Sequence, residues 1–249
     1  MANILFLFEG AVRESQYYKV IEKSLGGMIK SKVNFYCYKT NIYVLYDEIN
    51  RDTSLDILDL VREKARNDAD IESYEMLSNT KFGEIYLIFD LDPQDSRYNE
   101  QKINDMLRLF NNETEHGKLY INYPMVESFK HFRTIPDYEY NKYKVKVEDC
   151  ITYKRDVARL TCINDYRKIS KEQYFWIINQ NLEKANWLIN KRKFCDFGMY
   201  RDTLTQNDIY ELQKEEINSN LELYVLNSFC LWPLDYFSKD FFDHVINNH

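Results

Sequence analysis

The sequence predicts an α/β protein with a mainly parallel sheet and flanking helices, followed by a helical C-terminal part. In the first half, short apolar runs of strand length alternate with stretches of helical periodicity, which is the pattern of a parallel sheet with crossover helices. In the second half, longer helical stretches follow recognisable start signals. With 249 residues, 45% of them hydrophobic, the chain can bury a core of ordinary size as one large domain or two small ones.

Composition disfavours several other classes of protein. The chain has only 6 Gly and 4 Pro, so it is neither collagen-like nor disordered. Its five cysteines are scattered and form no C-x-x-C pair, which disfavours a disulfide scaffold or a zinc ribbon. No apolar run approaches the roughly 18–20 residues that cross a bilayer, and the first apolar run is too short for a signal peptide. We therefore expect a soluble, cytoplasmic protein without a membrane partner.

Strands and helices are predicted in alternation along the first half. The predicted strands are short apolar or alternating runs, at 3–8, 32–38, 83–89 and 118–122. The predicted helices have apolar residues at helical spacing, at 14–25, 53–64 and about 103–110. Pro124 stands where a proline opens a helix, so a further helix is expected over 125–132.

Start signals predict three helices in the second half. Ser170 and Gln173 form a capping-box pattern before a long apolar-periodic stretch. A second start signal lies at 205–208, and a third, short helix is expected after Pro233.

A change of character near 135–165 suggests a boundary. It divides an α/β core of residues 1–135 from a mixed, then helical part of residues 136–249 that contacts a partner or nucleic acid. The stretch 221–242 leaves hardly any polar face, so its apolar surface must be buried on more than one side. We expect Pro233 to break this stretch into two helices that pack on the core and supply a homo- or hetero-oligomeric contact.

Carboxylates follow two of the predicted apolar strands. Glu9 ends the first strand, and Asp90 and Asp92 end the third. Functional residues of parallel sheets cluster beyond the carboxyl ends of the strands, where these side chains and the 122–127 stretch are expected to converge. Carboxylates brought together repel one another unless a cation neutralises them, and such hard oxygen ligands select Mg²⁺ or Mn²⁺ over zinc. The sequence therefore predicts a metal site.

Each motif also has a purely structural interpretation. Glu9 and Glu14 can charge and cap a helix N-terminus, and Asp92 with Pro93 can form a turn. A lone D-x-D is a weak signal in a chain with 40 acidic residues. The metal interpretation depends on both motifs falling at strand ends together.

Three segments resemble the Toprim domains of the RloB-like and OLD-type branches. ILFLFEGAVRESQYYKVI at 4–21 resembles the first strand and helix, and IYLIFDLDPQDS at 85–96 resembles the D-x-D strand. YINYPMVESF at 120–129 resembles the next segment of RloB-like proteins. The three occur in the family's order over about the first 130 residues. Ala11 and Val12 depart from the polar or charged residues that are usual there.

The resemblance implies a Toprim-like fold with a metal-dependent nuclease site. Glu9 would be the metal-proximal glutamate and Glu14 its partner, while Asp90 and Asp92 would be the metal-binding pair. Glu127 would be a supporting carboxylate. The metal would neutralise the scissile phosphate, activate water and stabilise the leaving oxygen. Asp95 is a further candidate ligand, or simply a solvated loop residue.

Charge is unevenly distributed along a chain of net charge −7. Residues 51–115 carry 8 basic and 16 acidic side chains, whereas residues 130–171 carry 11 basic and 6 acidic ones. This pattern fits a metal site beside a polyanion groove, or two solvated faces of opposite sign. Lys130 and His131 follow Glu127 on the predicted helix, and Arg133 is near. We take Lys130 as the first candidate of the three for stabilising phosphate charge, the alternative being a solvated basic helix face. Alternating lysines at 142–146 suit either nucleic-acid contact or protection of an edge strand.

Two functional hypotheses follow. The first is an Mg²⁺-dependent nuclease effector, a toxin that cleaves DNA or RNA (tRNA included) in bacterial anti-phage defence by abortive infection. By the resemblance such effectors work beside an ABC-type ATPase, and since this chain has no P-loop motif a separate ATPase subunit is expected. The second is a non-catalytic, Toprim-like binding or regulatory subunit of such a complex. A primase-like enzyme ranks lower because no zinc motif accompanies the site.

Overall fold

A computed structural model describes residues 3–10, 13–51, 56–192 and 194–247, with the backbone alone for residues 13–15. Its strands are β1 Asn3–Phe8, β2 Lys32–Cys37, β3 Glu84–Asp90, β4 Asn111–Asn112, β5 Gly117–Tyr123, β6 Lys144–Lys146, β7 Glu222–Tyr224 and β8 Leu226–Asn227. Its α-helices are α1 Arg13–Leu25, α2 Ile42–Arg51, α3 Ile57–Asn67, α4 Ile71–Asn79, α5 Glu100–Leu109, α6 Tyr153–Leu160, α7 Lys171–Asn190, α8 Phe197–Thr203, α9 Gln206–Asn220, α10 Trp232–Tyr236 and α11 Lys239–Asn247.

The central sheet has the strand order β2-β1-β3-β5-β4, and its four main strands run parallel. The short strands β4 and β8 pair antiparallel with β5. The register places Phe8 beside Ile88 and Asp90 beside Asn122, so β1, β3 and β5 end at one edge of the sheet. The predicted α/β fold with a mainly parallel sheet is confirmed.

The two central strands are buried on both faces. Residues 4–8 of β1 and 85–90 of β3 are all buried, as expected where helices cover a parallel sheet on both sides. Their continuous apolar runs explain why β1 and β3 were predicted to within one residue.

The two long helices of the second half begin at the positions that their capping residues predicted. The Ser170 hydroxyl accepts from the Gln173 N–H while the Gln173 side chain accepts from the Ser170 N–H, which starts α7. Thr205 and Asp208 start α9 in the same way. Among the described residues, no helix is long and apolar enough to cross a membrane.

Other helices differ from the prediction. The helix expected over 53–64 is α3, capped by Asp56 and beginning at Ile57; residues 52–55 lie outside the described chain. Helices α2 and α4 were not predicted. The start of α2 is β-branched and aromatic, which resembles a strand, and α4 buries only Leu77, which leaves little apolar periodicity to detect.

The α-helix predicted over 125–132 is wrong. The structure has a five-residue 3₁₀ helix, Val126–Lys130, in which every residue is buried. Neighbouring segments bind both ends of this stretch: the Pro124 carbonyl accepts the N–H groups of Leu91 and Asp92, and the Lys130 carbonyl accepts the Thr161 hydroxyl. The segment has no solvent-exposed face, and its backbone groups bond to neighbouring segments. It therefore lacks the pattern that favours an amphipathic α-helix.

The predicted division of 221–242 into two helices at Pro233 is also wrong. Residues 222–225 alternate between partly and fully buried, and 222–224 form β7, which pairs with β6, before β8 joins the main sheet. Pro233 lies in the first turn of α10, where a proline is tolerated. Helices α10 and α11 are separated instead by Phe237 and Ser238.

The C-terminal aromatic stretch covers one face of the central sheet. The rings of Phe229 and Trp232 meet Phe6 edge-on, with centroids 5.5 and 5.0 Å away, and Phe229 also contacts Phe8. Residues from both sides of the proposed boundary at 135 thus share one hydrophobic core. The division into two parts and the oligomeric contact stay predictions.

We expect Trp232→Ala to lower the free energy of unfolding by about 3–5 kcal/mol, because it empties a fully buried indole site against β1. Urea unfolding followed by circular dichroism should show one transition at a lower midpoint. Trp187→Ala, at a half-exposed site, is the matched control and should cost far less. Unchanged unfolding of Trp232→Ala, or two separate transitions, would contradict the shared core.

Candidate metal centre

Glu9 follows β1 and reaches across the end of the neighbouring strand. Its backbone N–H donates to the Ile88 carbonyl at 3.1 Å, which continues the β1–β3 ladder by one residue. Its carboxylate oxygen Oε2 accepts the Asp90 N–H at 3.0 Å. The Glu9 side chain is therefore held beside Asp90 by the parallel pairing itself.

Asp92 is positioned by the loop that leaves β3. Its φ of 43° is in the left-handed region, which is uncommon for a residue with a Cβ. The N–H groups of Leu91 and Asp92 both donate to the Pro124 carbonyl at 3.1 Å, and the Leu91 carbonyl accepts the Tyr43 hydroxyl. These bonds hold the turn in a conformation that keeps Asp92 at the sheet edge.

Glu9, Asp90 and Asp92 form the one metal-competent group found among the described residues. One carboxylate oxygen of each lies within 4.8 Å of the others. Burial, reinforced by the charges of Asp95 and Glu127, raises the pKa of Asp92 from its usual value, although Gln94 donates to it. A divalent cation would relieve this repulsion, and three carboxylates suit Mg²⁺ or Mn²⁺.

Asn122 adds a second feature that fits a metal. It is fully buried at the end of β5, and its Nδ2 donates to Asp90 Oδ1 at 3.3 Å, which orients that carboxylate. Its own Oδ1 is buried without a hydrogen-bond partner within the described structure. The site thus has a fixed set of acidic oxygens with a neutral amide oxygen beside it, and these residues fit a hard cation.

Glu127 and Lys130 lie on the buried 3₁₀ helix beside this group. Glu127 is 3% exposed and its carboxylate lies 3.8 Å from the Lys154 ammonium. It is outside the group of three, yet its negative charge contributes to the raised pKa of Asp92. Lys130 is buried and lines a pocket next to α1.

Two other candidate residues are placed differently. Asp95 does not join the group of three: its carboxylate accepts two hydrogen bonds from the Arg97 side chain and one from Asn41, and Arg97 lowers its pKa. Asp95 therefore stabilises the loop after Asp92. Glu14 lies in α1, but its side chain is outside the described part of the chain.

His131 cannot supply a positive charge at neutral pH. Burial, with the charges of Lys184 and Arg133, lowers its pKa to about 4. Its Nδ1 lies 2.9 Å from the Tyr153 hydroxyl, and its ring stacks on Tyr143 at 5.0 Å. The neutral ring is a packing element between the 3₁₀ helix and α6.

The lysine stripe on β6 is paired with acidic residues. Lys144 binds Glu216 at 2.5 Å and lies 3.7 Å from Glu222, while Lys146 faces Glu148. The charge of Lys144 is therefore neutralised within the protein, whereas Lys146 and Glu148 are both exposed.

A basic surface on α6 was not predicted from the sequence. This helix packs against the 3₁₀ helix that carries Glu127, burying Tyr153 and Val157 and exposing Lys154, Arg155 and Arg159. The sequence does indicate this surface, because the apolar residues Tyr153 and Val157 are four positions apart and cations lie between and after them.

Comparison with known proteins found no matching family model, no matching curated protein and no matching solved structure.

We expect Mg²⁺ to raise the melting temperature of the protein through the three carboxylates. At ten times its Kd, the ion stabilises the folded state by about 1.4 kcal/mol, which is about 3–5 °C for a chain of this size. Asp92→Asn should abolish this shift without lowering the melting temperature of the metal-free protein, because it relieves repulsion. Differential scanning fluorimetry with MgCl₂ or EDTA measures both.

Glu75→Gln, which removes one exposed charge from α4, is the matched control for this experiment and should keep the full Mg²⁺ shift. An equal shift in the Asp92→Asn protein would show that the ion binds elsewhere.

We expect the His131 ring to make the protein less stable as pH falls. Its folded pKa of about 4 lies below the unfolded value of about 6.5, so the unfolded state binds more protons between these values. The contribution lost between pH 7 and pH 5 is about 2 kcal/mol. His131→Gln should lose this slope, and comparing both proteins at each pH isolates it from the carboxylates. Parallel stability curves would contradict the lowered pKa.

Proposed function

We propose that this protein is a divalent-metal-dependent nuclease, a Toprim-type effector of the RloB-like and OLD-type branch. The observation that carries the proposal is the convergence of Glu9, Asp90 and Asp92, from the ends of two adjacent parallel strands, within 4.8 Å. These are the residues that the resemblance implies as metal ligands. Their arrangement supports the chemistry without identifying the ion.

Bound Mg²⁺ or Mn²⁺ would supply charge neutralisation at a phosphate and lower the pKa of water. The chain's own contribution is to hold the metal-binding carboxylates in fixed positions. Glu9 is held against the Asp90 N–H, Asp90 is oriented by Asn122, and the turn to Pro124 fixes Asp92. Such a rigid arrangement is what a site needs to place a reacting phosphate accurately.

The charge around the site supports a polyanionic substrate. On α6, Lys154, Arg155 and Arg159 are exposed. Arg155 and Arg159 share the carboxylate of the single acid Asp156, at 3.5 and 3.8 Å, so the helix keeps a net positive charge. This surface lies beside Glu127, so positive charge borders the acidic centre. Nucleic acid is the substrate class that fits both features. Its phosphodiester bonds are cleaved with the help of metal ions, and its negative charge is attracted to a positively charged surface beside the site.

The biological setting remains part of the proposal. We place the enzyme in the bacterial cytoplasm as an effector of anti-phage defence by abortive infection, acting on DNA or RNA, with tRNA included. As the resemblance implies, we propose that an ABC-type ATPase subunit controls it.

The decisive experiment is a cleavage assay with the purified chain on labelled DNA and on total RNA, in Mg²⁺, Mn²⁺ or EDTA. We expect metal-dependent cleavage that falls at least a hundredfold in Glu9→Gln and in Asp90→Asn, while Glu75→Gln retains it. Circular dichroism would confirm that the variants are folded.

Two results would overturn the nuclease proposal. One is cleavage that persists in EDTA or in both site variants, because it would not depend on this centre. The other is a parent protein that binds Mg²⁺ but cleaves neither substrate, even with its ATPase partner. That result would favour the alternative, a non-catalytic regulatory subunit.

A further inference from the structure

A cavity of about 430 Å³ lies where the end of α5, the start of β5 and the N-terminus of α9 meet. We call it the α9 pocket. Helices α8 and α10 contribute Tyr200 and Asp235 to its lining, and its volume is in the range of small-molecule sites. Lys118 in its wall precedes Asn122 by four residues of β5, which is about 13 Å of strand. The α9 pocket is therefore separate from the metal centre.

Two arginines of the lining are available to a ligand. Arg108, in the last turn of α5, and Arg201, in the last turn of α8, are both exposed. Neither forms an ion pair or a side-chain hydrogen bond within the described part of the chain. Two guanidinium groups on one cavity favour an anion with several acceptor oxygens, because each guanidinium can donate two parallel hydrogen bonds.

The only acid of the lining, Asp235, has its charge compensated within the wall. The Lys118 ammonium lies 2.8 Å from Asp235 Oδ2, and the hydroxyls of Tyr120 and Tyr200 also donate to this carboxylate. Lys118 and Asp235 thus neutralise each other. The positive charge of the two arginines remains for an anion that enters the cavity.

The start of α9 adds backbone donors to the α9 pocket. Thr205 caps the helix, and its hydroxyl accepts the Asp208 N–H. The N–H groups of Gln206 and Asn207 are the first two of the helix and have no acceptor within it. Thr205, Gln206 and Asn207 all line the cavity. Free N–H groups at a helix N-terminus favour the binding of a phosphate.

Gln206 indicates that the ligand also carries a hydrogen-bond donor. Its side chain is 9% exposed and lines the cavity, and its Oε1 is buried without a hydrogen-bond partner within the described structure. A buried carbonyl oxygen that lacks a partner is unfavourable, so a ligand hydroxyl that donates to it gains affinity. A sugar phosphate has both features, since its phosphate suits the arginines and its hydroxyls suit the amide oxygen.

We propose that the α9 pocket binds the phosphate ester of a sugar, either free or as part of a mononucleotide. Arg108, Arg201 and the first N–H groups of α9 bind the phosphate, and Gln206 Oε1 accepts a hydrogen bond from a sugar hydroxyl. This inference does not depend on the proposed nuclease function, because the metal centre lies at the other end of β5.

The test is isothermal titration calorimetry of the purified chain with ribose 5-phosphate, AMP, inorganic phosphate and ribose. EDTA is present, so that no metal ion holds a phosphate at the three carboxylates. We expect ribose 5-phosphate and AMP to bind at one site per chain. Inorganic phosphate should bind about tenfold more weakly than ribose 5-phosphate, and ribose should not bind measurably, because each lacks part of the recognised group.

Substitution of either arginine should weaken the binding of ribose 5-phosphate. Arg108→Gln and Arg201→Gln should each lower the affinity about tenfold, because each loses charge-assisted hydrogen bonds to the phosphate. Arg66→Gln is the matched control, since Arg66 is also exposed in the last turn of a helix, α3, but lies outside the lining. The affinity of this variant should equal that of the parent.

Gln206→Leu tests the sugar separately from the phosphate. It removes the amide oxygen while keeping an apolar side chain of similar size. The affinity for ribose 5-phosphate should fall several-fold, whereas the affinity for inorganic phosphate should be nearly unchanged. A purely structural role of Gln206 would not separate the two ligands in this way.

The possible results decide the proposal independently of the nuclease. It is wrong if neither ribose 5-phosphate nor AMP binds the parent, if both arginine variants bind like the parent, or if Arg66→Gln weakens binding as much as they do. It is also wrong if inorganic phosphate binds as tightly as ribose 5-phosphate. Tighter binding of AMP identifies a mononucleotide as the occupant, and equal affinities identify the sugar phosphate itself. Metal-dependent cleavage remains a separate measurement.

Discussion

The parallel pairing of β1 with β3 is the constraint on which the candidate site depends. The same ladder that aligns Phe8 with Ile88 carries Glu9 to the Asp90 N–H. Carboxylates gathered in this way repel one another, so the arrangement persists because the backbone ladder and the close packing of buried side chains on both faces hold the strands in register. The stability of the sheet therefore offsets the electrostatic cost of the site.

That stability comes from distant parts of the chain. The C-terminal stretch returns to the sheet, where Phe229 and Trp232 cover Phe6 and where β8 pairs with the end of β5. The strand β8 is next to Asn122, the residue that orients Asp90. Residues more than a hundred positions apart in the sequence thus stabilise the end of the sheet that carries the candidate site.

Positive charge is handled in two different ways around this centre. Lys184 is fully buried, donates to the carbonyls of Tyr140 and Tyr143 at 2.8 Å, and burial lowers its pKa, so it serves the fold. On α6, Lys154, Arg155 and Arg159 instead remain exposed, although Arg155 and Arg159 share the carboxylate of Asp156. Ion pairs of this kind offset part of the positive charge counted over 130–171, as Glu216 also does for Lys144.

The sequence by itself determined the features that depend on local patterns. The apolar runs of β1 and β3, the capping box at Ser170 and the carboxylates after the strands were all readable, because periodicity and caps act within a few residues. The convergence of Glu9, Asp90 and Asp92 was expected from the strand ends, but only the tertiary structure decided that β1 and β3 are neighbours and that Asp95 stays outside the group.

The tertiary structure also decided the conformation of segments whose sequence pattern was ambiguous. The 3₁₀ helix at Val126–Lys130 and the strands β7 and β8 were expected to be α-helical, yet their backbones bond to distant partners that no local pattern reveals. The cavity lined by Lys19, Lys130 and Arg167 has the same origin, since these residues come from three separate segments. Contacts between residues far apart in sequence, rather than propensity, determine such features.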